Sequence, residues 1–265
     1  MAEVGTRTTV QEMTRPRRVA HRGGAGLAPE NTLAAFRLGL AHDADAVELD
    51  LHLSKDGALI VMHDADVSRA TGATGTISAL TLAELRTLNA AATYKGQDVA
   101  PQRIPTLQEV FELARGRASV QIEIKLRTDK TRYAGIEAKV LEVVKQYDML
   151  ADVAVISFDF PTLHTITALE PRVQTCALIS TPYLFRFTER QDATPVVATL
   201  AAQGFRCAGV QHHLLTPRLF QALRAHDLRV GVWTVNEPSS IRKFAAMGVD
   251  FITSDRPDLL RDLIP

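Results

Sequence analysis

The stretch Val47-Glu-Leu-Asp-Leu-His-Leu, residues 47–53, decides the fold because polar and apolar residues alternate along it. A period of two is that of a β-strand, so Glu48, Asp50 and His52 share one face. A strand of an antiparallel sheet can expose such a face to water. The surrounding chain, however, alternates strands with helices, which predicts a parallel sheet covered on both faces. A buried carboxylate pair then needs a partner, and we expect a metal ion.

A second alternating run, Val120-Gln-Ile-Glu-Ile-Lys, adds a third carboxylate. Glu123 and Lys125 share one face of that predicted strand. Two histidines end similar short runs, His21 after Val-Ala and His63 after Val-Met. The sequence therefore places acidic, basic and imidazole groups at the ends of several predicted strands.

Strand and helix patterns alternate from Arg18 onward. The eight predicted strands cover residues 18–23, 46–54, 118–125, 153–158, 174–179, 207–211, 229–235 and 251–254. Lys55-Asp-Gly is a hairpin signal that returns the second strand into residues 58–63. Pro29-Glu-Asn-Thr opens the first helix, with Asn31 or Thr32 as its cap. Eight such units predict an α/β fold, a TIM-type (β/α)8 barrel that forms one domain over residues 18–265.

Two segments lie outside this alternation. Residues 1–17 are polar and are expected to form a disordered N-terminal tail. Residues 64–105 are rich in Gly, Thr and Ser and carry one short helix pattern at 82–88. A connection of that length is either an insertion with a function or a disordered loop.

Composition excludes several classes of protein. Thirty basic and thirty acidic residues cancel, which argues against a nucleic-acid partner or an anionic membrane surface. Without a membrane-length apolar run or a secretory signal, we expect a cytoplasmic protein with no stable membrane insertion. Cys176 and Cys207 lie in apolar contexts, which predicts two small buried residues rather than a disulfide framework or a zinc site. A homo-oligomer stays open.

The barrel fold also predicts where a site lies, because its active sites form where strands end and the following loops begin. The residues at or near these ends include His21, Arg22, Glu48, Asp50, Glu123, Lys125, Phe158 and Trp233. His63 ends the hairpin that leaves the second strand. Chance would scatter polar residues over both ends of the barrel, so this clustering indicates a functional site.

In their order along the chain, these motifs resemble those of the glycerophosphodiester phosphodiesterase family, which are phosphodiester hydrolases on a TIM-type barrel. The matching segments are His21-Arg-Gly, Pro29-Glu-Asn-Thr, Ala35-Phe36, Val47-Glu-Leu-Asp-Leu, Lys55-Asp-Gly, Val61-Met-His-Asp, Ile104-Pro-Thr-Leu, Ile122-Glu-Ile-Lys, Val232-Trp-Thr-Val-Asn and Thr253-Ser-Asp-Arg-Pro. The resemblance spans nearly the whole chain. It implies hydrolysis of a small-molecule glycerophosphodiester to glycerol 3-phosphate and an alcohol.

The resemblance also implies roles for single residues. It makes His21 and His63 the acid–base pair, and it makes Glu48, Asp50 and Glu123 the ligands of a divalent metal. Arg22 and Lys125 would hold the phosphate and Trp233 would line the pocket, to which we add Phe158 from its place at a strand end. Residues 64–105 would form an inserted subdomain over the barrel mouth.

The chemistry of a phosphodiester suits these residue types. A hard dication on carboxylate oxygens screens the phosphate charge, and an all-oxygen ligand set favours Mg²⁺ or Ca²⁺ over zinc. Arg22 offers a planar fork for phosphate, and Lys125 adds a compact charge. One histidine takes a proton from the nucleophile and the other protonates the leaving alkoxide. We favour His63 as the acid and His21 as the base. The nucleophile is either water or the neighbouring glycerol hydroxyl, which would form a cyclic phosphate.

Alternative functions are a lysophospholipase D-like or cyclising phosphodiesterase on the same barrel, and a non-catalytic binding protein. The aromatic cluster of Tyr183, Leu184, Phe185 and Phe187 either holds an acyl chain or packs beneath its loop or in a dimer contact. Because no amphipathic docking helix stands out, we expect small soluble diesters as substrates.

The remaining polar candidates are weaker. His42, His164 and His226 are expected to be surface or packing residues. His52, His212 and His213 lie near the predicted site, and Glu30 and Asn31 adjoin the His21 loop but are also explained as helix-capping residues.

Overall fold

A closed barrel of eight parallel strands forms the core of the computed structural model, which describes residues 15–96, 99–181 and 194–265. The described strands are β1 (Arg17–Ala20), β2 (Ala46–Leu53), β3 (Leu59–Val61), β4 (Ser119–Ile124), β5 (Val153–Ser157), β6 (Gln174–Ile179), β7 (Cys207–Gln211), β8 (Arg229–Trp233) and β9 (Phe251–Ser254). β1 closes the ring by pairing in parallel with both β2 and β9. β3 pairs antiparallel with β2. The predicted TIM-type barrel and its hairpin are confirmed.

Helices alternate with the barrel strands. The described α-helices are α1 (Leu33–Ala41), α2 (Ser68–Thr71), α3 (Leu82–Leu85), α4 (Leu107–Ala114), α5 (Ile136–Gln146), α6 (Phe160–Leu169), α7 (Thr194–Ala202), α8 (Pro217–Ala225), α9 (Pro238–Met247) and α10 (Pro257–Leu263). Proline occupies the first turn of α6, α8, α9 and α10. Its missing N–H has no helical partner at that position in any helix. Among the described helices, none could span a membrane.

Apolar side chains pack on both sides of the barrel wall. A large cluster that includes Phe36 and Leu49 lies between the strands and the helices. A smaller cluster that includes Ile156 and Phe251 fills the inside of the barrel. Because both faces of β2 are covered, the carboxylates on its inner face are buried. This is the burial that the sequence predicted for a polar face in a parallel sheet.

The predicted first helix is present and begins at Leu33, directly after Pro29-Glu-Asn-Thr. Thr32 is its cap and accepts a hydrogen bond from the Ala35 N–H at 3.2 Å. The preceding turn packs tightly on α1: a Cβ on Gly23, whose φ is +83°, would lie 2.6 Å from the Phe36 nitrogen. Only glycine fits there, and the turn sets the position of the residues just before it.

Residues 64–105 contain α2, α3 and a short 3-10 turn at Ile77–Ala79. Val67, Ile77 and Leu85 belong to a separate apolar cluster that also covers the outer part of the β2–β3 hairpin. The division into a barrel with an inserted subdomain and a disordered tail stays a prediction. β1 begins at Arg17, one residue inside the predicted tail, and residues 1–14 lie outside the described residues.

Cys176 and Cys207 form a disulfide, so the prediction of two unpaired buried cysteines is wrong. They lie on β6 and β7 immediately before Ala177 and Ala208, which pair across the two strands. Their Cα atoms are therefore only 4.6 Å apart. The two cysteines become neighbours only when β6 and β7 align side by side, and no local sequence signal predicts that alignment.

We expect reduction of this disulfide to lower the free energy of unfolding by roughly 3 to 4 kcal/mol, because it releases a long closed loop in the unfolded chain. The two cysteines are 31 residues apart. Urea unfolding with and without reductant measures the change. The Cys176→Ala/Cys207→Ala protein is the control, since reductant should leave its midpoint unchanged. Equal midpoints for the oxidised and reduced wild type would contradict the prediction.

Candidate active site

The C-terminal ends of the barrel strands surround a cavity of about 710 Å³ of empty space, counting its open mouth. The predicted site residues that line it are His21, Arg22, Glu48, His63, Glu123, Lys125, Phe158 and Trp233. Asp50 is fully buried beside this cavity. The barrel thus brings the nine residues selected from the sequence to one place.

Three buried carboxylates form the centre of this group. Glu48 and Asp50 follow one another on the inner face of β2, and Glu123 on β4 pairs with Asp50 across the sheet. One oxygen of each carboxylate lies within 4.8 Å of an oxygen of the others. Such a set of converging oxygens is a ligand set for a hard divalent cation.

Two basic side chains balance part of this negative charge. The Lys125 Nζ lies 2.7 Å from the Glu123 Oε1 and 2.9 Å from the Asp50 Oδ1. The Arg22 Nε lies 3.3 Å from the Asp50 Oδ2. Both predicted phosphate-binding residues therefore contact carboxylates in this structure.

The carboxylates differ in how well they are compensated. Burial raises the pKa of Glu48, and the neighbouring Asp50 carboxylate raises it further. Burial also raises the pKa of Glu123. Burial acts on Asp50 in the same direction, but Lys125 and Arg22 outweigh it and hold the pKa of Asp50 well below its usual range. The site therefore holds more buried negative charge than its lysine and arginine neutralise.

His21 is held by a carboxylate from the opposite end of the sequence. Its Nδ1 lies 2.6 Å from the Asp255 Oδ1, and the Asn236 amide donates to the Asp255 Oδ2 at 2.6 Å. The His21 Nε2 points toward Glu48, at 3.9 Å from its Oε2. Burial lowers the pKa of His21, but Glu48 and Asp255 outweigh it, so the net shift is upward. Sequence reasoning missed both Asp255 and Asn236, although each lies in a segment that matched the family.

His63 is held by a chain of charged groups at the barrel mouth. Its Nδ1 lies 2.8 Å from the Asp64 Oδ1, and Asp64 forms a short ion pair with the Arg69 guanidinium. Arg69 also contacts the Glu30 Oε1 at 2.5 Å, and the Glu30 Oε2 lies 3.0 Å from the Arg22 Nη1. Arg69 thus links residues 64–105 to the loop after β1 and orients groups on both sides of the cavity. Glu30 has this role and not the helix-capping role that was also open.

Two buried polar residues, His52 and Asn31, hold the backbone of His63 and the carboxylate of Asp50. The His52 Nε2 lies 3.1 Å from the His63 carbonyl oxygen, and the His52 Nδ1 lies 2.9 Å from the Tyr133 hydroxyl. Burial lowers the pKa of His52 to about 4, so this imidazole is neutral near pH 7. The Asn31 amide donates to the Asp50 Oδ2 at 2.7 Å. His52 therefore contacts the backbone of His63, and Asn31 contacts the side chain of Asp50.

The pKa of His63 shifts in the opposite direction to that of His21. Burial lowers it first, and the Lys125 ammonium lowers it further. The carboxylates of Asp50 and Asp64 act against this shift without reversing it. In this structure, His21 is therefore the more readily protonated of the two histidines.

We expect Arg69→Ala to lower kcat/KM by about tenfold, because Asp64 and Glu30 lose the charge that orients them and a charge-assisted hydrogen bond is worth about 1.5–3 kcal/mol before solvent screening. Arg69 is half exposed, which places the effect at the lower end. Arg86→Ala is the matched control: Arg86 pairs with Glu109 at 2.6 Å, apart from the cavity. Equal kcat/KM for wild type and Arg69→Ala would show that the ion pairs do not orient His63 or Arg22.

Phe158 and Trp233 form an aromatic wall of the cavity. Their ring centroids are 5.5 Å apart in an edge-to-face contact. The Trp233 Nε1 donates to the Gly209 carbonyl oxygen at 2.9 Å, which holds the indole in place. Phe158 is 41% exposed, so an apolar surface remains available to a substrate.

The other histidines lie away from this constellation. His42 ends α1 and contacts Arg261, and His164 on α6 contacts Gln203. His212 and His213 form a 3-10 turn after β7, and neither belongs to the described residues that line the cavity. The predicted aromatic cluster at residues 183–187 lies outside the described residues.

Comparison with known sequences agrees with this geometry. The sequence pattern of the glycerophosphoryl diester phosphodiesterase family matches residues 21–259. A glycerophosphodiester phosphodiesterase of Caldanaerobacter subterraneus is 30% identical over 251 residues, which cover 93% of this chain and 96% of that protein. One of Bacillus altitudinis is 33% identical over 243 residues, covering 90% and 94% respectively.

Comparison with solved structures extends the similarity to the fold. A glycerophosphodiester phosphodiesterase of Agrobacterium tumefaciens superposes with a TM-score of 0.76 at 28% identity, covering 93% of this chain and 99% of that one. An Oleispira antarctica phosphodiesterase, solved with the product sn-glycerol-3-phosphate, superposes with a TM-score of 0.78 at 28% identity. That comparison covers 94% of this chain and 96% of the other.

Proposed function

The chain belongs to the glycerophosphoryl diester phosphodiesterase family and is an enzyme of that class, and on this premise we propose that it hydrolyses glycerophosphodiesters to glycerol 3-phosphate and an alcohol. In the proposed reaction His21 and His63 are the acid–base pair and a divalent cation is required. The product-bound Oleispira antarctica relative supports the proposed product.

One observation carries the proposal: two histidines, each held by a carboxylate, lie in one cavity with Arg22, Lys125 and the three-carboxylate cluster. Hydrolysis of a phosphodiester needs positive groups around the phosphate oxygens. It also needs one group that takes a proton from the nucleophile and another that protonates the leaving alkoxide. Arg22 and Lys125 supply the first, and the histidines supply the second. Phe158 and Trp233 would contact the apolar parts of the substrate.

Glu48, Asp50 and Glu123 would hold the cation. The fit rests on their burial and on their all-oxygen donor set; burial raises the pKa of Glu48 and Glu123, and the neighbouring Asp50 carboxylate raises both further. When bound, the cation would screen the phosphate charge and acidify a coordinated hydroxyl or water. Oxygen ligands favour Mg²⁺ or Ca²⁺, and we propose these two ions.

We propose His63 as the acid and His21 as the base. Asp255 and Asp64 orient the two imidazoles through their Nδ1 atoms, which leaves each Nε2 for proton transfer. The upward pKa shift of His21 comes largely from Glu48, a proposed cation ligand, and a bound cation would share that carboxylate charge. His21 would then be free to act as the base.

The experiment that tests the proposed function is product analysis with a panel of glycerophosphodiesters and the metal-loaded enzyme. We expect glycerol 3-phosphate and a free alcohol from small soluble diesters. A stable cyclic phosphate would instead indicate a cyclising phosphodiesterase. Markedly higher kcat/KM for a monoacyl glycerophosphocholine than for glycerophosphocholine would indicate a lysophospholipase D-like enzyme.

The cytoplasmic compartment stays a prediction, and so does the absence of a nucleic-acid partner. Disulfides are rare in the reducing cytosol, so the pair of Cys176 and Cys207 offers a direct check. Thiol labelling in freshly lysed cells would detect two free thiols if the protein resides in a reducing compartment. The possibility of a homo-oligomer stays open, and sedimentation analysis would decide it.

A further inference from the structure

A second cavity, with about 480 Å³ of empty space counting its mouth, lies at the N-terminal end of the barrel. Cys176 lines both this cavity and the candidate active site, and Phe251 also lies between them. The Cys176–Cys207 disulfide and the ring of Phe251 therefore separate the two cavities inside the barrel. The second cavity thus lies at one end of the strands, and His21 and His63 lie at the other.

Four polar residues form one layer of this cavity. Arg17, Ser119, Gln174 and Arg229 are the first residues of β1, β4, β6 and β8, which are alternate strands of the barrel. Alternate strands of a TIM-type barrel contribute the side chains of one inner layer, and branched apolar residues dominate such layers. A layer with two arginines departs from that rule.

The two guanidinium groups are held by neutral partners. The Arg17 Nη2 donates to the Asp45 carbonyl oxygen at 3.0 Å and forms a short hydrogen bond with the Ser119 hydroxyl. The Arg229 Nη1 donates to the Gln174 Oε1 at 2.8 Å. Throughout the described ranges, no carboxylate oxygen lies within 4 Å of either group. Both arginines are thus oriented without being neutralised.

Within the described residues, the nearby acidic side chains form no ion pair with Arg17 or Arg229. The Asp45 carboxylate is engaged by Arg15 at 2.6 Å and by Arg18 at 3.5 Å. Asp152 lies on the cavity wall and acts on Arg17 only at longer range. Burial lowers the pKa of Arg17; the Asp45 carboxylate opposes this shift without reversing it, and the charge of Arg229 lowers the pKa further. The two cations therefore face the same partly enclosed space and repel one another.

We propose that this cavity binds a small oxyanion, a phosphate group held between Arg17 and Arg229. The planar guanidinium fork matches phosphate oxygens, and two forks facing one space can contact different oxygens of the same group. The Gln174 amide nitrogen adds a neutral donor, while the Ser119 hydroxyl holds Arg17 and donates its own hydrogen to the Asp45 carbonyl oxygen at 3.1 Å. The ligand we propose is inorganic phosphate or the phosphate of a small monoester. The site is independent of the proposed reaction at the other end of the barrel.

Thermal unfolding of the full-length enzyme with increasing inorganic phosphate, at constant ionic strength with chloride, tests the site. At saturation we expect the wild-type Tm to rise by about 5 °C more than that of Arg229→Gln, as for a ligand at about 100 times its Kd. Phosphate binding at the active site is common to both proteins and cancels in the difference. In buffer without phosphate, Arg229→Gln should melt at or above the wild-type temperature, because it removes the repulsion with Arg17.

Arg206→Gln is the matched control, since Arg206 is an exposed arginine next to β7 at the same end of the barrel. It should keep the full phosphate response, and Arg229→Lys should keep part of it. Hydrolysis by Arg229→Gln should equal that of the wild type. A parallel titration with glycerol 3-phosphate distinguishes a monoester ligand from the free ion. Identical phosphate responses of wild type and Arg229→Gln would overturn the proposal.

Discussion

We expect His21→Ala and His63→Ala each to lower kcat by about two to four orders of magnitude, the range for loss of general acid–base catalysis. Both imidazoles line the cavity, and a separate carboxylate holds each ring. In the proposed reaction each ring serves a different proton transfer, so neither should replace the other. Steady-state kinetics with glycerophosphocholine, together with circular dichroism for the fold, would measure the effect.

The leaving group separates the two roles. A p-nitrophenol leaving group departs without protonation, so loss of the acid should matter less with a p-nitrophenyl substrate. We therefore expect His63→Ala, and not His21→Ala, to recover most activity with that substrate. Recovery by His21→Ala alone would reverse the assignment and agree with the pKa directions seen in this structure. His164→Ala, a histidine on α6 away from the cavity, should retain full activity.

Chelation should abolish hydrolysis, and Mg²⁺ or Ca²⁺ should restore it. Without a cation, the three buried carboxylates repel one another and Lys125 stays paired with Glu123 and Asp50, so the phosphate loses the charge of the cation and that of Lys125. Activity and calorimetric cation binding should be measured on the same chelated sample. Full activity in a metal-stripped sample would exclude the proposed cation requirement.

A substitution within the cluster should give the same result. Glu48→Gln should lower cation affinity and kcat together, because it removes one anionic ligand at nearly constant volume. Glu137→Gln is the matched control, since Glu137 is a buried carboxylate on α5 outside the cluster. If Glu48→Gln binds the cation as tightly as wild type, Glu48 is not a ligand.

Local patterns predicted the barrel with good accuracy. The predicted bounds of β6, β7 and β9 agree with the structure, because each is a short apolar run between turn residues. The alternation at residues 47–53 also predicted the inner face of β2 and its carboxylates. Of the two caps predicted for α1, only Thr32 has that role, because Asn31 has a left-handed backbone and turns its amide to Asp50.

The sequence by itself determined the fold class and the residues that converge in the candidate site, because strand periodicity and position at strand ends are local properties. Only the tertiary structure decided which side chains contact and orient the site residues, and which cysteines pair. Asp255 meets His21 from 234 residues away, and Cys176 meets Cys207 across β6 and β7. These contacts exist because closing the barrel brings the last strand beside the first and aligns neighbouring strands in register, which no local pattern encodes.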